Sequence, residues 1–494
     1  MPTRRQMLKG VAAGAGLALA PPSARPGLAR ANVNDIHSQL NATSVERVVA
    51  VNSDDGLRAA IQAARADGKP IAIAGGRHAM GGQQFVTDGV VLDMRGLNRI
   101  IGLDRERGIV EAEAGIEWPG LIAGLHALQP DDPRPWTIIQ KQTGADRLTL
   151  GGALAANIHG RGLALQPMIG DIESFALMDA NSELRQCSRT ENAELFRLAI
   201  GGYGLFGVVT RIRLRLMRRT KLERVVKLID VSDLMPAFAE RIAEGYLYGD
   251  CQFSTDSTSD TYLRRGVFSC YRPLPPDAEM PPPQRELGEA QWRELYLLSH
   301  VDTRRTYEAY TSYYLASSGQ RYWSDTSQLS VYIDDYHADL DRRLGAPHKG
   351  TEMITEIYVP RLSLPTLFAS IRSDFRRYDV KLIYGTIRLI ARDNESFLAW
   401  AREPWVCTVM NLHVDHTPEM IEKAAADFRR LIDRAGDYGG SYFLTYHRWA
   451  TRLQVERCHP RMAAFLRLKQ RYDPDETFQS DWYRHHKTMF ADRL

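Results

Sequence analysis

Apolar residues recur with two different periods along the first half of the chain. From Ser53 to Gly68, Leu57, Ala60, Ile61 and Ala64 fall on one face of a helical repeat, with Ser53 placed to cap the first turn and Gly68 to close the last. Residues 70–74 form a short apolar run that predicts a strand, and Val90-Val91-Leu92-Asp93-Met94 predicts a buried one. Ile109 to Ala114 alternates in the manner of a half-exposed strand, whereas Trp118 to Leu128 is amphipathic. Ser174–Ala180 and Leu184–Cys187 flank Asn181-Ser182, which predicts a hairpin. From Val208 to Leu216 apolar residues alternate with Arg211, Arg213 and Arg215, a strand whose arginines are expected to face solvent rather than a phosphate. These patterns predict a first domain of mixed α and β structure.

After about residue 222 the texture changes. Pro273-Leu274-Pro275-Pro276 and Pro281-Pro282-Pro283 bracket a polar stretch that reads as a long surface connection. Tyr307, Tyr310 and Tyr314 lie at helical spacing between Arg304 and Trp323, a stripe expected to pack in a core or interface. Asp334, Asp335, His337, Asp339 and Asp341 alternate without a second histidine, so a solvated face is expected there and no metal.

Two glycine-rich segments carry the chemistry. The first, Ala74-Gly75-Gly76-Arg77-His78-Ala79-Met80-Gly81-Gly82-Gln83, follows the strand at 70–74. The second is Thr149-Leu150-Gly151-Gly152-Ala153-Leu154-Ala155-Ala156-Asn157-Ile158-His159-Gly160. Glycines there let backbone N–H groups approach a ligand's phosphates, and a histidine within such a loop suggests a ring system close by. Neither segment fits a dinucleotide or Walker fingerprint. A third element comprises Asn192-Ala193-Glu194-Leu195-Phe196 and the run Gly201-Gly202-Tyr203-Gly204-Leu205-Phe206-Gly207-Val208-Val209-Thr210.

In order and spacing, these three elements resemble the FAD-linked oxidases with the vanillyl-alcohol-oxidase (PCMH) type of flavin domain, across about residues 45–215. His78, Gly82 and Gln83 are similar to the H-x-x-x-G-Q of cytokinin dehydrogenases, and 151–160 is similar to sugar-alcohol and aldonolactone oxidases. The resemblance implies an α+β fold with a two-subdomain FAD-binding domain and an inserted α+β substrate (cap) domain on an antiparallel sheet. The implied boundaries are 32–222 for the flavin domain, 223–455 for the cap and 456–494 for a C-terminal return, the last carrying an Asp-Pro-x-x-x-Phe signature at 473–478. FAD is implied as cofactor, held by residues 74–79, 82 and 83, by 149–152, 155, 157, 159 and 160, and by Gly207, Val208 and Val209. His78 stands where family members bond the flavin 8α carbon. Doubly linked relatives have a cysteine where this chain has Ala145, so at most one bond is expected, and whether His78 forms it stays open.

The family also implies hydride transfer to flavin N5, with a group accepting the substrate proton. Cytokinin dehydrogenases carry a catalytic aspartate where this chain has Gly144, which weakens an amine-oxidising reading. Glu356-Ile357-Tyr358-Val359-Pro360 is similar to a Glu-x-x-x-Pro strand of the sugar oxidases. Glu356 and Arg388 are therefore expected to orient a hydroxylated small molecule (sugar, polyol, aldonolactone or other secondary alcohol), with His413, Tyr446 or His447 as proton acceptor. Oxygen or a quinone-type carrier would reoxidise the flavin. The alternatives are a dehydrogenase for an amine or a lipid-linked sugar, and a flavin-binding export partner without turnover.

Composition narrows this little. With 494 residues the chain is long enough for two or more domains, and 63 Lys+Arg against 60 Asp+Glu gives no reason to expect a nucleic acid or an anionic membrane as partner. Five scattered cysteines argue against a disulfide framework or structural zinc. Thr3-Arg4-Arg5-Gln6-Met7-Leu8-Lys9 is close to the twin-arginine consensus, and Val11–Ala20 is too short to span a bilayer, which takes about 20 residues. Residues 1–31 therefore read as a twin-arginine signal, with periplasmic delivery by that translocase, a route that carries folded, cofactor-loaded protein. Replacing Arg4 and Arg5 together by lysine keeps the charge but removes the guanidinium groups the translocase reads. Fractionation should then show full-length, flavin-loaded protein retained in the cytoplasm, while the parent is found in the periplasm beginning near Asn32. Delivery of the double variant at parental levels would exclude the twin-arginine route.

Overall fold

The computed structural model describes residues 30–281, 286–330, 333 and 336–494; the expected signal, up to residue 29, and Asp334 and Asp335 lie outside the described residues. The helix Asp54–Ala66 starts where Ser53 Oγ accepts the Gly56 N–H, and it buries Leu57, Ile61 and Ala64. Those side chains pack against Ile71, Val90 and Leu92 of a three-stranded parallel sheet, ordered Arg47–Ala50, Val90–Asp93, Ile71–Ala74.

A second, six-stranded sheet holds Ile172–Met178, Leu184–Ser188, Val208–Arg218, Ile109–Glu113, Ile100–Asp104 and Trp136–Ile138. Ile109–Glu113 lies between two antiparallel neighbours and is buried on both faces rather than half-exposed. Its polar end is neutralised by Arg99, which donates to Glu113 through its backbone N–H and its guanidinium. The arginines of Val208–Arg218 do alternate outward, where Arg211 pairs with Asp54 and Arg215 with Glu173.

The third sheet is antiparallel, with eight strands in the order Arg321–Trp323, Lys221–Asp230, Arg265–Pro273, Tyr248–Phe253, Leu382–Ile390, Trp405–Asp415, Gly350–Pro360, Ser441–Tyr442. Its apolar face is covered by the helices Leu364–Arg377 and Pro418–Asp437, with Phe368 edge-on to Phe253 at 5.1 Å. Because side chains alternate along a strand, Glu352, Ile354 and Glu356 all point to the opposite face, beside Asp250, Gln252, Tyr384 and Arg388. The helices Glu289–Val301 and Thr303–Ala316 stand over that face, yet they bury only Ser299 between them. Among the described residues no helix is long and apolar enough to cross a membrane. All five cysteines are buried and unpaired.

The chain ends against the first sheet. Phe478 bridges to Ile71 in parallel, and Gln479 N–H donates to the Ile71 carbonyl at 2.8 Å. This return is shaped by Asp473, whose carboxylate accepts the N–H groups of Thr477 and Phe478 and the ammonium of Lys469 at 2.5 Å. The Asp-Pro-x-x-x-Phe signature is thus a turn that delivers Phe478 into the core. Lys469 and Asp473 are only 0% and 2% exposed. Asp473→Asn leaves the lysine charge buried without its partner, an expected loss of about 3–5 kcal/mol in denaturant unfolding. An unchanged midpoint would show that the return does not depend on this pair.

Candidate active site

A cavity of about 800 Å³ lies between the glycine segments and the antiparallel sheet. At one end, Gly75 and Gly76 press on the second segment. A Cβ on Gly75 would lie 2.1 Å from Thr149 Oγ1, and one on Gly76 would lie 2.2 Å from the Arg147 carbonyl oxygen. Glycine is required here so that two backbone loops can touch and form one cradle. Thr149 Oγ1 also caps the helix Leu150–Ala156 by accepting the Gly152 N–H.

Of the residues expected to hold a cofactor, Gly75, Gly76, Arg77, His78, Ala79 and Gln83 line the cavity from the first segment, and Thr149, Gly152 and Ala155 from the second. The others are not on its wall. Ala74 ends a strand, Gly82 turns at φ +76°, Leu150 is core, and Gly151 meets the Ala114 Cβ, so its missing side chain serves helix–strand packing. Asn157 ends its helix in the left-handed region and donates to Asp393, while Gly160 rests on the Lys141 carbonyl. Gly207, Val208 and Val209 lead into the strand beside Leu177 and Met178. His159 lies behind the wall and acts on the cavity through Glu356.

His78 Nδ1 is 2.8 Å from His37 Nε2, whereas His78 Nε2 is buried without a well-aligned hydrogen-bond partner. Burial, then His37, holds the His78 imidazole well below its usual pKa, with the Arg147 carbonyl opposing, so the ring is neutral at neutral pH. A buried neutral imidazole beside a glycine cradle fits a bound flavin.

Glu356 occupies the cavity floor, with its side chain 2% exposed. Its Oε1 is 2.5 Å from His159 Nε2 and accepts from Tyr358 OH at 2.8 Å and Cys407 Sγ at 2.9 Å; among the described residues Oε2 accepts only from Tyr446 OH, at 3.1 Å. Burial pushes this carboxyl up, but His159, Cys407 and the Arg388 charge outweigh it and hold the pKa at about 2. Burial, then the Glu356 charge, lifts Tyr358 and Tyr446 well above the usual phenol range, so both stay donors. Arg388 lines the cavity with its Nε unpartnered.

His413 and His447 stand apart from this floor. His413 faces Glu352 and Asp415, and His447 is stacked on Trp449 at 4.0 Å. Burial, partly offset by Asp35, drops His447 to about 4. The tyrosine stripe, in contrast, faces the cavity through Tyr310 and Tyr314, joined by Tyr313 and Tyr322. Further charged residues on the wall were not anticipated, namely Arg161, Arg224, Asp250, Glu286 and Glu352. Arg161 lies over the Tyr271 ring at 4.6 Å, and Arg224 over Tyr322 at 4.6 Å and Tyr314 at 5.1 Å. The signal for Arg224 was its place between Leu222 and Val226, an inward position of an alternating strand.

Residues 45–188 match the sequence profile of the FAD binding domain family. Over 445 residues, 87% of this chain and 91% of the relative, the protein is 23% identical to decaprenylphosphoryl-beta-D-ribose oxidase of Mycolicibacterium smegmatis. It is also 23% identical to L-gulono-1,4-lactone dehydrogenase of Mycobacterium tuberculosis, over 81% of this chain and 86% of the relative. Cytokinin dehydrogenase 7 of Oryza sativa subsp. japonica is 32% identical, but over 32% of this chain and only 30% of its own length. The profile match, the relatives and the cradle around His78 together place the chain among the FAD-dependent oxidoreductases that carry this FAD-binding domain, with FAD as its cofactor.

Proposed function

We propose that the protein oxidises a CH–OH group of a hydroxylated small molecule such as a sugar, polyol or aldonolactone. The ionised Glu356 at the floor of the cavity carries this reading, because a carboxylate with one lightly used oxygen accepts a hydrogen bond from a hydroxyl, can take its proton once the departing hydride has acidified it, and repels no neutral polyol. Bound FAD supplies the hydride acceptor at N5 and gathers negative charge at N1–C2=O. Glu356 Oε2 holds the substrate hydroxyl and takes up its proton, Tyr446 fixes the direction of approach, and the Arg388 guanidinium balances the charge. The names of the two relatives aligned over most of their length, a ribose oxidase and a lactone dehydrogenase, support a sugar-type donor. The ribose oxidase and the aromatic, arginine-bearing wall favour a lipid-linked sugar as second reading.

Export by the twin-arginine route, with reoxidation by oxygen or a quinone-type carrier, completes the reading. It rests on Arg4-Arg5 and on the compatibility of that route with cofactor loading before transport. A single covalent bond from His78 to the flavin 8α carbon is proposed on the grounds that the ring is neutral, buried and set in the cradle.

Anaerobic titration with polyols, aldonolactones and amines should bleach the flavin only with the hydroxylated compounds. Glu356→Gln keeps the shape and removes the acceptor, so flavin reduction should slow by about 10²–10⁴-fold at unchanged FAD content. Reduction by amines alone, or at the parental rate in the variant, would overturn the CH–OH reading.

A separate measurement addresses His78. Flavin fluorescence should stay with the parent polypeptide on a denaturing gel and be lost from His78→Ala. Free flavin released from the parent would exclude the bond while leaving the fold unaffected.

A further inference from the structure

His300 comes from the last turn of Glu289–Val301, His337 from the first turn of Tyr336–Leu344, and Glu352 and His413 from register partners on adjacent strands. His300 Nε2 is 3.1 Å from Glu352 Oε1, His337 Nδ1 is 3.0 Å from Oε2, and His413 Nδ1 is 3.5 Å from Oε1. None of these side chains is more than 8% exposed. The group is distinct from the Glu356 floor, since four residues along a strand separate the two carboxylates by about 13 Å.

The outer nitrogens decide what the inner ones can be. His300 Nδ1 lies 2.8 Å from the Tyr296 carbonyl, which can only accept, so the proton of a neutral ring sits there. His413 Nε2 lies 3.3 Å from an Asp415 carboxylate oxygen, which likewise calls for a proton on the outer nitrogen. With those protons committed, the inner nitrogens Nε2 of His300 and Nδ1 of His413 can meet the Glu352 carboxylate in two ways, through a second ring proton or through a bound cation. His337 Nδ1 and His413 Nδ1 also lack hydrogen-bond geometry to Glu352 despite their proximity. An outer N–H held by a carbonyl or carboxylate is the arrangement that orients metal-binding histidines. One ligand atom from each of His300, Glu352 and His413 lies within 4.8 Å of the other two, close enough for a single ion to reach all three, whereas His337 meets only the far oxygen of the carboxylate.

We propose that His300, His413 and Glu352 bind a divalent transition-metal ion of the zinc class, with His337 steadying the carboxylate from its other oxygen. Two imidazoles and one carboxylate, with the fourth place open to water, suit zinc, with cobalt as a spectroscopic substitute. The ion has a mechanical task. The helices Glu289–Val301 and Thr303–Ala316 wall the cavity but bury only Ser299, so apolar packing holds them weakly. Coordination through His300 fastens that wall to the sheet through Glu352 and His413. This inference is independent of the substrate reading.

The test uses tag-free, FAD-loaded protein, stripped with a chelator and then titrated with Co²⁺. A saturating d–d absorption band at about one ion per chain, displaced by Zn²⁺, is expected. Zn²⁺ should also protect the two wall helices from limited proteolysis. His300→Ala and His413→Ala should lose the cobalt band while retaining FAD, and substitution of the exposed His348 by alanine should leave it intact. Failure of the stripped parent to bind Co²⁺ or Zn²⁺ stoichiometrically would overturn the proposal without recourse to any variant, leaving a cluster whose charge is met by protons. A cobalt band persisting at full intensity in both His300→Ala and His413→Ala would overturn it equally.

Discussion

The carboxylate of Glu356 is ionised in a place where water scarcely reaches, and the elements around it are arranged so that it can be. Burial alone pushes its pKa up; His159, Cys407 and the Arg388 charge reverse the sign and bring it to about 2. The hydrogen-bonding partners come from separate places: His159 from the segment after the helix Leu150–Ala156, Tyr358 from the same strand, Cys407 from the neighbouring strand, and Tyr446 from beyond Ser441–Tyr442. A buried charge that loses a partner is strongly destabilising, so these elements hold one another in position. His159 matters most here because it joins the second glycine segment to the antiparallel sheet. The floor of the cavity and the cradle of the cofactor are thereby fixed relative to each other.

The cradle has its own constraint, which is steric. Gly75 and Gly76 approach Thr149 and Arg147 more closely than any Cβ permits. Two chain segments separated by some seventy residues of sequence thus form a single backbone surface. Their glycines look in sequence like phosphate-binding glycines, but part of their service is to each other. The same is true of Gly151, which is spent on Ala114.

Opposite the cradle, the wall is polar and aromatic rather than tightly packed. Arg161 and Arg224 lie over tyrosine rings, an arrangement that keeps guanidinium groups buried through ring faces and phenol oxygens. The two helices that complete this wall contribute side chains to the cavity and almost none to a core.

By itself the sequence determined what local rules govern. Ser53 caps its helix, Val208–Arg218 alternates, and the glycine segments with His78 mark a flavin domain, because caps, strand parity and close backbone approach depend on neighbours along the chain. Glu356, Arg388 and Tyr446 could be picked out as a group from short resemblances, and the fold brings all three to one cavity. Local pattern misread Ile109–Glu113, since burial on its second face depends on neighbouring strands and on Arg99. It also placed His413 with the chemistry, although strand register sets that ring opposite Glu352. His337, read from alternating acids as part of a solvated face, is buried against the same carboxylate. Only tertiary structure decided these points, because the environment of a charged or titratable side chain is set by groups far away in sequence, and no periodicity records them.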